Sequence, residues 1–290
     1  MHPAPSVIIF SVLSGLGFGL LAYLGAGIIT PSGGAAFLWW GVGYGLAIAG
    51  LLAATFHLGN PKNAIKAFSQ WRTSWLSREA WASVAALLML APVALSDWLN
   101  LGWPRGIGYV GAVLALFTVF TTSMIYTQIK AVPRWNHPIN PVMFLAFALT
   151  GGAVLAAQGW AVYVLLALAL VLLSVWRIGD GQFALRAQTL GMATGLDLIG
   201  EVTVFEQPHT GGNYLLREMI YVVGRKHAQK LRVIAVVLAA VLPAMILALS
   251  PPHIAAFVLA GVVHLAGAFA SRWLFFAEAE HVVGLYYGAR

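Results

Sequence analysis

The sequence contains few charged residues and no cysteine. Charged residues make up 9% of its 290 positions and apolar residues 60%, whereas a soluble domain carries about 25% charged residues. So few charges cannot cover a globular surface in water, and we therefore predict a polytopic membrane protein whose helices face lipid. The absence of cysteine excludes disulfides, thiolate metal sites and cysteine-held iron–sulfur clusters from this chain.

Ionisable side chains are also scarce in the middle of the apolar stretches. No lysine lies mid-span, which excludes a retinal Schiff base, and all nine carboxylates fall at span ends or in loops. Because charges inside the bilayer usually mark ion paths, this distribution argues against a pump or an ion-coupled transporter. A permease for a small neutral solute stays open as an alternative.

Apolar stretches long enough to cross a bilayer occur eight times. We predict an all-α bundle of eight transmembrane helices in a single integral membrane domain, 1–290. The spans are about 6–29, 35–57, 79–98, 107–129, 141–158, 160–176, 232–250 and 253–276. Only Gln158, Gly159 and Trp160 separate the fifth span from the sixth, so one long kinked helix is the alternative there.

Three basic loops lie on one side of the predicted bundle: 58–78, 130–140 and 177–231. Of the 16 lysine and arginine residues, 15 fall on this side or at the C-terminal end, and only Arg105 falls on the other. The positive-inside rule places the basic side, with both termini, in the cytoplasm. The alternative is that these charges face an acidic partner subunit and do not report orientation.

Small residues recur every four positions on the first two spans, a spacing that lets helix backbones approach closely in lipid. They are Ser11, Gly15 and Gly19 on the first span, and Gly41, Gly45 and Ala49 on the second. We therefore expect these two helices to pack together.

Histidine placement argues against haem. His264 is the only histidine near mid-span, and His253 lies about 16 Å from it along the helix axis. The two cannot ligate one iron, so we expect no haem, although a haem b cytochrome subunit remains an alternative of a different class. We interpret His264 as a neutral histidine hydrogen-bonded to a neighbouring helix.

The hairpin "HLGNPKNAIKAFSQWRTSWLSREAW" (57–81) permits a purely structural interpretation. Trp71 and Trp75 lie four residues apart and can anchor an amphipathic loop among lipid headgroups. Ser77 is then a candidate N-cap for the third span, with Glu79 near the positive end of that helix dipole.

The same hairpin permits a functional interpretation. His57 ends the second span and Glu79 begins the third, so the chain direction puts both at one interface. A quinone headgroup sits near this depth and needs hydrogen bonds to its oxygens and a proton exchanger open to water. His57, Glu79 and the adjacent Arg78 supply those groups.

Six motifs give the chain a resemblance to the DmsC family of membrane anchor subunits, which serve dimethyl sulfoxide reductase and related molybdenum enzymes. These motifs are "MHP" (1–3), "HLGNP" (57–61), "WRTSWLSRE" (71–79), "SMIY" (123–126), "HTGGNYLLREM" (209–219) and "HVVGLYYG" (281–288). The tail and the long middle loop most resemble the anchor subunits of sulfite:quinone oxidoreductases (SoeC-type).

The resemblance implies eight transmembrane helices without haem in a heterotrimeric complex of the bacterial inner membrane. A large catalytic subunit would hold molybdopterin guanine dinucleotide, and a ferredoxin-like subunit, docked on the basic loops, would hold iron–sulfur (4Fe–4S) clusters. The anchor would exchange electrons with ubiquinone or menaquinone and would not be catalytic alone.

The resemblance also implies a site. The family's quinol-binding histidine and glutamate match His57 and Glu79, and Gly59 completes the "HLG" motif. We add Trp75 and Arg78 as further quinone-binding candidates, and we expect no metal site. The charge bias favours the sulfite-oxidising relatives over an anchor of a dimethyl sulfoxide (or related S- or N-oxide) reductase that oxidises menaquinol.

Overall fold

The computed structural model describes residues 1–56, 58–187, 189–206, 209, 211–220 and 223–288, and in these residues it is helical without β-strands. The α-helices are α1 (Pro5–Gly25), α2 (Gly33–Thr55), α3 (Trp75–Leu99), α4 (Gly106–Thr127), α5 (Ile139–Leu155), α6 (Ala161–Leu185), α7 (Leu190–Thr194), α8 (Ala228–Val236), α9 (Leu242–Leu249) and α10 (Ile254–Ala277). Short 3₁₀ segments occupy Pro61–Phe68, Val223–His227 and Val282–Tyr287, and π-helical turns occupy Leu215–Met219 and Val237–Val241.

Seven helical segments of the described chain are long and apolar enough to cross a membrane. They are α1, α2, α3, α4, α6, α10 and the continuous stretch Arg225–Leu249, which contains α8 and α9. The predicted fifth span corresponds to α5, an apolar helix of 17 residues, at the short end of spanning lengths. The all-helical membrane architecture is confirmed, and the count of eight spans stays a prediction.

A turn separates α5 from α6, as predicted. The chain leaves α5 at Ala156, passes through Ala157 in the left-handed region (φ 52°) and begins α6 at Ala161. The amide of Gln158 donates to the Ala153 carbonyl at 3.0 Å and closes this turn. Two separate helices therefore form here, and the alternative of one kinked helix is wrong.

Helices α3 and α6 extend beyond the predicted spans. Helix α3 begins at Trp75, and Ser77 lies inside its first turn, where its hydroxyl accepts from the Gln70 amide at 3.2 Å instead of capping the helix. Helix α6 continues to Leu185 because Phe183 is buried and Asp180 finds basic partners.

Helix α1 lies at the centre of the bundle and contacts α2, α4, α5 and α10. Its closest approach to α2 occurs at glycines on both helices. A Cβ at Gly17 would meet the backbone of Ala47, and a Cβ at Gly50 would meet the backbone of Ser14. The predicted pairing of the first two helices is confirmed, but Gly15, Gly41 and Gly45 are not at the contact, because a Cβ at each would have no neighbour within 4 Å.

An ion-pair network joins four segments at the basic end of the bundle. Asp180 of α6 pairs with Arg134 and, at 2.7 Å, with Arg232 of α8. Glu278 accepts from Arg232 Nε at 2.6 Å and lies 3.7 Å from Arg134. Burial raises the pKa of the Glu278 carboxyl although both arginines oppose this. The network ties the 130–140 loop and the chain after α10 to the helix ends.

Candidate functional site

The hairpin 58–74 folds back onto the start of α3. Asn60 accepts from the Lys62 amide at 3.2 Å, which starts the 3₁₀ helix Pro61–Phe68. At its other end, Phe68 packs edge-on against Trp81 with ring centroids 5.3 Å apart, and Trp81 Nε1 donates to the Phe68 carbonyl at 3.0 Å. These contacts fix the loop against the outer face of α3.

Arg78 and Trp75 lie on the outside of the site. The Arg78 guanidinium donates to the carbonyls of Trp71 (3.1 Å) and Arg72 (2.7 Å), and its Cζ lies 4.2 Å from the Trp75 ring centroid. Trp75 packs edge-on against Phe120 of α4. Arg78 also lines an open, largely apolar groove of about 630 Å³ between α3 and α4.

His57 lies outside the residues that the structure describes, so its proposed role stays a prediction. The neighbouring Leu58 is tied to α2 by its amide, which donates to the Thr55 carbonyl at 3.2 Å. Gly59 lies in an exposed bend, and a Cβ added there would meet no atom within 4 Å.

Glu79 points into the bundle. It is 4% exposed although it lies just one turn inside α3, and its Oε1 is in a short hydrogen bond with Thr122 Oγ1 of α4. A buried carboxylate is costly unless it is hydrogen-bonded or paired. The structure therefore separates Glu79, which faces the interior, from Arg78, which faces the loop.

The Thr122 hydroxyl also lies 2.9 Å from the carbonyl of Thr118. A hydroxyl has one hydrogen and can donate to only one of these two acceptors at a time. When Glu79 is ionised, Thr122 can donate to the carboxylate. When Glu79 is protonated, its O–H can donate to Thr122, which then donates to Thr118. Both protonation states of Glu79 are satisfied without moving a heavy atom.

A cavity of about 380 Å³ opens at the basic end of the bundle, between the ends of α2 and α4 and the start of α3. Its walls are mostly apolar, with Leu58 and Leu76 among them, and its polar groups include Tyr126 and a pair formed by His2 and Glu218. His2 Nδ1 lies 3.7 Å from a Glu218 carboxylate oxygen. Tyr126 lies one turn beyond Thr122 on α4, and Thr122 is the hydrogen-bond partner of Glu79, so the cavity and Glu79 lie near the same end of α4.

The N-terminus and the described segment after α10 lie together at this end of the bundle. The Met1 amine donates to the Ala279 carbonyl at 2.8 Å, and the His2 amide donates to the Glu218 carbonyl at 2.7 Å. Burial, assisted by Arg225, lowers the pKa of the Met1 amine to about 5. Burial also lowers the pKa of the His281 imidazole, and the positive charge of the Met1 amine lowers it further.

Four polar residues around this site were not predicted from the sequence: His2, Tyr126, Glu218 and Arg272. The first three lie within the motifs "MHP", "SMIY" and "HTGGNYLLREM", so the motifs did contain a usable signal. Arg272 lies in no motif and was counted only among the basic residues at the C-terminal end of the chain.

His264 is hydrogen-bonded to a neighbouring helical segment, as predicted. It is 1% exposed, and its Nδ1 forms a 2.6 Å hydrogen bond with the Ala239 carbonyl in the π-helical turn Val237–Val241. Within the described ranges, no three histidine, aspartate or glutamate side chains are grouped so that they could hold a metal ion.

Together, these features define a multi-pass helical membrane protein with a partly apolar cavity and a buried acid at its basic end. The chain matches the model of the DMSO reductase anchor family (DmsC) over residues 2–288, and it belongs to that family. It is 30% identical to the C subunit of the sulfite dehydrogenase of Allochromatium vinosum, with 99% of each chain covered. No solved structure matches the chain. The chain is therefore a membrane anchor of an oxidoreductase complex.

Proposed function

We propose that this chain is the quinone-reactive anchor of a heterotrimeric molybdenum enzyme, and that the 380 Å³ cavity receives the quinone headgroup. The observation on which this rests most directly is the position of the cavity. It lies at the predicted bilayer edge beside Leu58, the neighbour of His57, and beside Tyr126, which is one helical turn from Thr122, the hydrogen-bond partner of Glu79.

The cavity suits a quinone in size and chemistry. Ligand sites of this kind enclose about 300–1,000 Å³ and combine apolar walls with a few polar groups. The cavity's volume of about 380 Å³ falls in this range, and its walls are predominantly apolar. A bound quinone accepts or releases two electrons and two protons, so the chain must supply hydrogen-bonding and proton-exchanging groups.

Glu79 and His57 are the proposed proton-exchanging groups. The Thr122 hydroxyl satisfies Glu79 in either protonation state, which a group that repeatedly takes up and releases protons requires. An imidazole can donate to a quinone oxygen and titrates near neutral pH. The flanking Gly59 leaves the turn after His57 free of side-chain bulk.

Trp75 and Arg78 are proposed to form the lipid-facing rim of the site. Arg78 lies over the Trp75 ring and lines the open groove between α3 and α4. That groove offers apolar surface to the long tail of a quinone, while the headgroup occupies the cavity.

The long loop offers a docking surface for the iron–sulfur partner. Leu198, Ile199 and Phe205 are 85% exposed or more, although they lie outside the membrane-spanning helices. Exposed apolar side chains in a loop are typical of a surface that a partner covers. The basic end also holds nearly all the positive charge of the chain, so we place it on the cytoplasmic side of a bacterial inner membrane.

Sulfite is the proposed substrate of the catalytic partner, because the whole chain aligns with a sulfite dehydrogenase component. The alternative, suggested by the family as a whole, is the anchor of a dimethyl sulfoxide reductase that oxidises menaquinol. Turnover of the purified complex with sulfite and quinone, compared with turnover of dimethyl sulfoxide and menaquinol, separates the two. Mass spectrometry of the copurifying chains identifies the partners, a large molybdopterin-binding chain and an iron–sulfur chain.

The variant Glu79→Gln tests the quinone site. We expect quinone-linked turnover of the complex to fall by about 100-fold or more, because a positioned proton donor is typically worth that factor. Dye-linked activity of the molybdenum-binding partner should persist, since it bypasses the anchor. Glu201→Gln, which changes an exposed loop carboxylate, is the matched control. Normal quinone kinetics in Glu79→Gln would remove Glu79 from the mechanism.

Two measurements test the other classes of function. A Soret band in the optical spectrum of the purified chain would support a haem b cytochrome subunit. Solute uptake by liposomes that contain this chain alone would support a permease.

A further inference from the structure

Arg272 is a buried charge in the last helix. It is 4% exposed, and its Cζ lies 3.7 Å from the centroid of the Phe144 ring on α5. Two of its guanidinium nitrogens, Nε and Nη1, are buried without a hydrogen-bond partner among the described residues. Unpaired N–H groups of a buried cation cost free energy, so this arrangement calls for a further partner.

A small cavity lies beside the Arg272 side chain. Its volume is about 10 Å³, and its polar lining consists of Ser11, Ser14, Thr122 and Arg272. This volume is close to the smallest that holds one water molecule. Ser11 and Ser14 donate their hydroxyl hydrogens to the carbonyls of Ile8 and Phe10, which leaves oxygen lone pairs free to accept.

Thr122 connects this cavity with Glu79. It lines the cavity and is hydrogen-bonded to the Glu79 carboxyl group. No direct ion pair joins Glu79 and Arg272 in the described residues, yet Tyr126 interacts electrostatically with both. A single bound water has enough partners here, because it can accept from Arg272 and donate to a hydroxyl oxygen.

We propose that a water molecule bound in this cavity links Arg272 through Thr122 to Glu79, and that Arg272 is a positioning residue that sets the pH at which Glu79 exchanges its proton. This inference rests on the proposed role of Glu79 at the quinone site. The cation favours the ionised carboxyl group, and the water and the Thr122 hydroxyl connect the two groups without direct contact.

The described surroundings of Glu79 offer few competing charges. On α4 it is hydrogen-bonded to Thr122 and interacts electrostatically with Tyr126, and Arg272 of α10 lines the same small cavity as Thr122. The adjacent Arg78 is turned toward the carbonyls of the hairpin. The serines of α1 that border the cavity are not titratable near neutral pH. His57 is left unchanged in every variant below.

The pH titration of the Glu79 carboxyl band in infrared difference spectra tests the role of Arg272, with Glu79→Gln assigning the band. In Arg272→Met, we expect the midpoint to rise by about one pH unit, as the loss of a nearby opposite charge typically produces. Arg272→Lys should stay near the wild-type midpoint. Arg177→Met, the same change at an exposed arginine of α6, should not move it.

The bound water is tested separately by its density. We expect a high-resolution structure of the wild-type complex to show water density in the cavity beside Arg272, and the structure of Arg272→Met, which removes the guanidinium donors, to lack it.

An unchanged midpoint in Arg272→Met would overturn the proposal, and so would a wild-type cavity without water density. These outcomes are distinct from a failure of the proposed function. If Glu79→Gln retained normal quinone turnover while Arg272→Met still moved the titration, the linkage would stand and the assignment of Glu79 to the quinone site would fall.

Discussion

Thr122 supplies the hydrogen bond that stabilises the buried Glu79 carboxyl group near the membrane edge. Its single hydroxyl hydrogen is shared between the Glu79 carboxyl group and the Thr118 carbonyl. Removing one partner of a charged, buried hydrogen bond costs about 1.5–3 kcal/mol, more than a neutral bond costs. The role of Glu79 therefore depends on a residue with no charge of its own.

Substitutions at Thr122 follow from this arrangement. In Thr122→Val, which keeps the shape and removes the hydroxyl, we expect quinone-linked turnover to fall about tenfold or more, because the Glu79 carboxylate loses its donor. Thr122→Ser should restore most of the turnover. Thr121→Val changes the preceding buried threonine, which donates to Thr118, and should leave turnover unchanged. Equal losses in the two valine variants would contradict the assignment.

Sequence alone identified Glu79 but not Thr122 or Arg272, and the reason is physical. A carboxylate at the start of an apolar span stands out by its cost in lipid. A threonine among other threonines and an arginine near the end of a span do not stand out in the same way. Whether such a side chain faces the interior or the lipid depends on how its helix is rotated about its axis. That rotation is set by packing between helices, and Arg272 faces inward because the Phe144 ring receives its guanidinium.

At the scale of elements, the hydropathy of the sequence predicted the positions of most helices. The spacing of small residues did not predict which face of each helix makes the contact. The predicted pairing of the first two spans is present, but Gly17, Gly43 and Gly50 make the contact instead of Gly15, Gly41 and Gly45. Helices rich in glycine offer more than one small-residue stripe. Which stripe faces α2 also depends on how α1 packs against α4, α5 and α10. A rule based on the spacing of small residues in two helices does not include these other contacts.

The two sets of glycines give a matched pair of variants. Gly17→Ala places a methyl group against the backbone of Ala47, and we expect a loss of about 1–3 kcal/mol in the free energy of unfolding from overpacking. Gly45→Ala has open space for the same methyl group and should be neutral or slightly stabilising, since alanine is the better helix former. Thermal unfolding in detergent measures both. Equal stabilities would show that this contact is not close-packed.

At the scale of the whole molecule, the contact between Met1 and Ala279 places the N-terminus and the chain just after α10 together at the basic end of the bundle. This agrees with the arrangement of termini that the spans and charges predicted. The compartment that this end faces is a separate prediction, which rests on the charge bias.

The absence of cysteine makes the orientation directly measurable. Ser69→Cys introduces an exposed thiol in the basic hairpin, and Ser32→Cys introduces one at the opposite end, before α2. With a membrane-impermeant maleimide on intact cells, we expect labelling at position 32 and protection at position 69 until the membrane is opened. The reverse pattern would place the basic end outside the cytoplasm.

The four-residue ion-pair network has a consequence for how the protein is made. Its members are spread from Arg134 to Glu278, so three of the four are synthesised before the acid that follows the last helix. Until that acid emerges from the ribosome, Arg134 and Arg232 must share Asp180 alone. We therefore expect the ends of α6 and α8 to be held in place only after Glu278 has been synthesised. Until then these ends can still shift while α10 packs beside α1.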